Sequence, residues 1–183
     1  MEIAKKSEKF RLKGGQTITL HWLHCDKKGL CNPHANRPLV CKLYPILPKV
    51  SPNGEILGFF NGTIFDLFFS DKSHPCTLIR QNRQETQDML KANLKDLLKD
   101  PNYIFIFMTA NIAVEHLQNY IKAKFGTYII DDITPNKLAE FWNEVEMAMV
   151  LRRAWNTHEF ASDIEKAYKN VAQIGGEFLP IEP

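Results

Sequence analysis

Four cysteines carry the most chemical promise in this chain, spaced Cys25-x5-Cys31-x9-Cys41-x34-Cys76. Soft thiolate donors match zinc and iron–sulfur clusters, and four of them complete a tetrahedral zinc site or give one ligand to each iron of a cubane. The count suits one closed centre. The spacing is less diagnostic: no Cys-x-x-Cys knuckle is present, and Cys41 and Cys76, beside apolar neighbours, also read as small buried apolar residues. His24, His34 and His74 each lie within three residues of a cysteine and are candidates to replace a thiolate, His74 foremost.

Other chemistry is poorly represented. The sequence holds no phosphate loop, dinucleotide fingerprint, nucleophile elbow, His-Glu-x-x-His helix or calcium loop. Asp131 and Asp132 form a carboxylate pair, but adjacent residues seldom face the same way, so a turn or a helix N-terminus is the expected setting. His116 and His158 have no partner at metal-binding spacing.

The segment around the third cysteine is more specific. Arg37-Pro38-Leu39-Val40-Cys41-Lys42-Leu43-Tyr44-Pro45, with His74-Pro75-Cys76 further on, resembles the cysteine-cluster family described as a putative zinc- or iron-chelating domain. That family combines early cysteines, an Arg-Pro-x-x-Cys-Arg/Lys-x-Tyr/Phe-Pro signature and a later Cys near a Pro. The resemblance covers residues 20–80, about a third of the chain. The family's early block is typically denser, with a Cys-x-x-Cys-Cys type cluster, whereas only Cys25 and Cys31 stand there in this sequence. The resemblance thus implies one centre with Cys25, Cys31, Cys41 and Cys76 as ligands. It also implies a second role for Arg37, whose guanidinium would stabilise an anionic thiolate centre by charge and hydrogen bonds without ligating it. A weaker similarity to the cluster region of flagellin lysine-N-methylases favours a 4Fe-4S cluster over a zinc ion.

These residues need elements to position them. Composition changes near residue 77: all four cysteines and four of the six histidines precede it, and Leu, Lys, Glu and Asn at helical spacing follow. The expected fold class is α+β, a single domain over 1–183 with a cysteine-rich metal-binding part at 16–77 and a mainly helical part at 78–183. In the first part Gln16 to Trp22 reads as a strand, and Glu55 to Phe60 and Thr63 to Phe69 flank Asn61-Gly62 as a hairpin. Cys25 to Val50, with Pro33, Pro38, Pro45 and Pro48, reads as mostly irregular chain that a metal would hold together.

In the second part Leu78 to Leu98 forms a helix stopped by Asp100-Pro101. Tyr103 to Met108 reads as a strand, followed by a helix from Ala110 that ends before Gly126. Tyr128 to Ile130 is a short strand. Thr134 caps a helix carrying Leu138, Phe141, Trp142, Val145 and Met149, and a last helix runs from Thr157 to Ile174.

Composition bounds the function. With 183 residues, 44% apolar residues and a net charge of +2, the chain suits one well-buried core and lacks the concentrated basic face of a nucleic-acid binder. No secretory signal or membrane span is read in it, so the cytoplasm is expected, where thiols stay reduced. The leading reading is a metal-binding protein with a structural or redox centre. The alternatives are a metal-organised modifying enzyme such as a transferase, and an adaptor that docks a protein partner.

Overall fold

The computed structural model describes residues 3–11, 17–23, 39–61, 66–176 and 178. The chain packs as two units, Met1–Tyr44 with Ile181–Pro183, and Pro45–Pro180. The first holds an antiparallel pair, β1 (Ile3–Arg11) and β2 (Thr17–Leu23), and a short helix, α1 (Leu39–Leu43). The second begins with another antiparallel pair, β3 (Ile46–Val50) and β4 (Ile56–Asn61), and continues as four helices, α2 (Thr77–Leu94), α3 (Pro101–Phe125), α4 (Leu138–Val150) and α5 (His158–Gly175). Helices with two small antiparallel pairs agree with the α+β expectation. The composition change near residue 77 is not a packing boundary, because β3 packs on α3 inside the second unit.

Local chemistry accounts for most element ends. Asp100 caps α3 by accepting from the Asn102 N–H at 2.8 Å, Pro101 takes the first helical position, and Gly126 closes the helix at φ 80°. Thr157 caps α5 by accepting from the Phe160 N–H at 3.1 Å. Residues 97–99 form a 3-10 turn after α2. In the β3–β4 turn Gly54 sits at φ 82°, and a Cβ there would stand 2.2 Å from the Leu98 carbonyl oxygen, so only glycine lets the two turns meet.

Several sequence expectations are corrected. Tyr103 to Met108 belongs to α3 and not to a strand: Ile104, Phe105 and Phe107 are all buried, so the helix is apolar on several sides and lacks the alternation that marks an amphipathic one. The hairpin in this region joins β3 to β4 through Pro52-Asn53-Gly54, and Asn61 is the end of β4 and not a turn residue. The proposed partner strand instead contains a 3-10 turn at Asp66–Phe68. Within 25–50 the described residues hold α1 and β3, and Tyr128 to Ile130 is not the expected strand but runs into a 3-10 turn at Ile130–Asp132. The Thr134 side chain caps nothing; a 3-10 turn at Pro135–Lys137 leads into α4.

Pro48 can stand inside β3 because its outer edge pairs with a side chain. The Asn111 carboxamide, buried in mid-α3, donates to the Pro48 carbonyl at 2.9 Å and accepts from the Val50 N–H at 2.9 Å. At this edge the missing proline N–H costs no ladder bond. Below this contact Phe68, Leu117, Ile121, Phe141 and Val145 form a fully buried core, joined by the T-shaped Phe68–Phe141 pair at 5.6 Å. At the other end of α3 Phe105 meets Tyr168 of α5 at 5.7 Å.

Glu144 is the buried acid of α4. It accepts from Tyr120 Oη at 2.8 Å, from Arg153 Nη1 at 3.1 Å and from the Lys124 ammonium. The Lys124 bond foremost, with those from Tyr120 and Arg153, holds its carboxyl below the ordinary value of 4.5 against the cost of burial.

Two outcomes are expected. Asn111→Leu leaves the Pro48 carbonyl and the Val50 N–H without this partner and should lower unfolding stability by roughly 2–4 kcal/mol in a denaturant titration; an unchanged midpoint would mean that water replaces the carboxamide. A carboxylate whose folded pKa is depressed gives stability that is complete above the unfolded value, 4.5 here, and is lost as pH falls through the folded value. Stability measured from neutral pH downward should therefore drop more steeply in the parent than in Glu144→Gln, and equal slopes would contradict the assignment.

Candidate functional site

Of the four cysteines, Cys25 and Cys31 lie outside the described residues, as do Arg37, His24 and His34. Cys41 lies on α1. Cys76 is described in full. It takes the N-cap position of α2 in an extended conformation, its side chain makes no capping bond, and its thiol is free and half-buried. Among the described residues no group of three or more His, Cys, Asp or Glu side chains could hold a metal ion.

The segment leading to Cys76 is tied down at several points. Arg83 of α2 donates to Asn61 Oδ1 at 2.6 Å and to Asp71 Oδ1 at 2.7 Å, while Asn61 Nδ2 donates to the Phe69 carbonyl at 3.1 Å. One guanidinium thus links the end of β4, the 69–71 stretch and α2, which a point charge would do less well. Ser70 and Ser73 exchange bonds, each backbone N–H donating to the other's hydroxyl at 3.2 and 3.3 Å. The Ser70 hydroxyl also donates to Asp131, and this bond, with the one from Ser73, holds the Asp131 carboxyl below its ordinary value. Asp131 and Asp132 lie in a 3-10 turn, the expected setting, and face different partners, since Asp132 accepts from Thr127 Oγ1 at 3.1 Å.

His74 sits at the centre of this segment with no exposed surface. Its Nδ1 accepts from the Cys76 N–H at 3.0 Å, and its Nε2 stands 3.9 Å from Asp66 Oδ1 with no hydrogen-bond partner among the described residues. Burial pushes the imidazole below its ordinary value of 6.5, outweighing the pull of the Asp66 carboxylate, so the ring is neutral at neutral pH. A neutral ring that accepts at Nδ1 carries its proton on Nε2. The ring edge also meets Phe69, with centroids 6.3 Å apart. The local sequence explains the arrangement: Pro75 restricts the residue before it to extended backbone, which lets the ring of His74 fold onto the amide two residues on.

Three buried polar residues were not singled out from sequence as functional or structural partners. Asp66 carries no local signal. Asn111 was visible only as a polar break in an apolar run, and Glu144 only as an acid on the apolar side of a helix. His116, which has no partner at metal-binding spacing, pairs with the distant Asp163 of α5 at 3.0 Å. Among the described residues no helix is long and apolar enough to cross a membrane. The chain matches no protein-family model, no curated protein and no solved structure.

Proposed function

We propose that this chain is a metal-binding protein whose single centre is held by Cys25, Cys31, Cys41 and Cys76, with a 4Fe-4S cluster preferred to a zinc ion. The observation that carries the reading is the Arg37 to Pro45 signature around Cys41, in a chain with four thiols and no more. Four thiolates satisfy either metal form, and the lack of Cys-x-x-Cys knuckles favours the cluster. Arg37 acts beside the centre, where its charge offsets that of the sulfurs.

The state of Cys76 supports this reading: its thiol is free of capping duty and its backbone N–H is already satisfied, so the sulfur has no competing local partner of that kind. Of the four thiols proposed as donors, only that of Cys76 is described. The role is structural or redox, in a reducing compartment such as the cytoplasm. Such a centre requires no nucleic acid or membrane.

Protein purified without air should carry about one centre per chain, as a brown oxygen-sensitive chromophore or as colourless zinc. Cys41→Ala and Cys76→Ala should each abolish metal binding, whereas His158→Gln should retain it in full. A parent chain that is folded, metal-free and indifferent to chelators would contradict the proposal.

A further inference from the structure

We infer that His74 fixes the position of the Cys76 ligand as a hydrogen-bond acceptor and is not itself a ligand of the centre; this rests on the four-thiolate reading above. The ring has no exposed surface, and its Nδ1 holds the Cys76 N–H at 3.0 Å across a single proline. That bond closes a three-residue loop whose last residue carries the thiol. The loop is in turn anchored by Arg83 through Asp71 and by Phe69 against the ring.

The same bond argues against ligation. A metal-bound histidine coordinates through one nitrogen and donates a hydrogen bond from the other. Here the Nδ1 lone pair is engaged, so coordination through Nδ1 would strip the Cys76 N–H of its acceptor. Coordination through Nε2 would require that nitrogen to lose its proton while Nδ1 still accepts, leaving an anionic ring. Nε2 instead stands 3.9 Å from the Asp66 carboxylate oxygen Oδ1. His74 is thus a positioning residue for Cys76.

Two amide replacements separate the nitrogens. In His74→Asn the side-chain oxygen falls near Nδ1 and accepts the Cys76 N–H; in His74→Gln the amide falls near Nε2 and does not. Against a competing chelator, His74→Asn should retain metal as the parent does, while His74→Gln should retain it about 10–100-fold less tightly. Absorption spectra of the loaded forms should be the same, because the ligands are unchanged. Metal loss in His74→Asn as complete as in His74→Gln, or an altered spectrum in His74→Asn, would overturn the inference. Nitrogen-15 NMR of the metal-free parent gives a readout independent of metal: the ring proton is expected on Nε2, and a proton on Nδ1 would overturn the inference as well. A parent that takes up neither iron nor zinc removes the four-thiolate reading and with it this role, while the NMR result still decides the hydrogen bond by itself.

Discussion

Among the described residues no strand pairs with the outer edge of β3, and the Asn111 carboxamide partners its outward-facing backbone groups at Pro48 and Val50. An amide side chain presents one donor and one acceptor in the same plane and so imitates a neighbouring strand. This fixes the hairpin against mid-α3, and much of the second unit follows from it. The β3–β4 turn then reaches the 97–99 turn, where Gly54 meets the Leu98 carbonyl. Asn61 at the far end of β4 becomes the anchor for Phe69 and Arg83, and thereby for the segment that carries His74 and Cys76.

Legibility from sequence divides along the same line. The last helix was readable because its signals are local: a Thr157 cap, apolar residues at helical spacing and a closing glycine. The expected strand at Gln16 to Trp22 appears as β2 for the same reason, its run of β-branched and aromatic residues being self-contained. Tyr103 to Met108 was misread although Asp100-Pro101 offered a sound helix start, because a helix buried on several sides shows no period that distinguishes it from a buried strand. The hairpin was expected to turn at Asn61-Gly62, whereas it turns at Asn53-Gly54, where Gly54 meets Leu98 far along the chain. Asn111 lies 61 and 63 residues from its partners, a relation that no local pattern encodes.

The candidate site shows a similar contrast. The proposed donor set rests on the four cysteines and the Arg37 to Pro45 signature, which are visible in sequence. What sequence does not reveal is how a nearby histidine spends its nitrogens. His74 stood out as a spare ligand because it is close to Cys76, yet its burial and its bond to the Cys76 N–H give it a different use. Proximity in sequence placed the residue correctly and left its chemistry open, because a histidine can ligate, donate or accept and only the neighbours select among these.

The central claim is that four sulfurs and no nitrogen surround the metal. X-ray absorption at the metal edge of the anaerobically purified chain reads that first shell directly. Four sulfur neighbours per metal, at about 2.3 Å for zinc, with no nitrogen contribution, is the result expected. A shell with three sulfurs and one imidazole nitrogen, or one built of oxygen and nitrogen alone, would contradict the account.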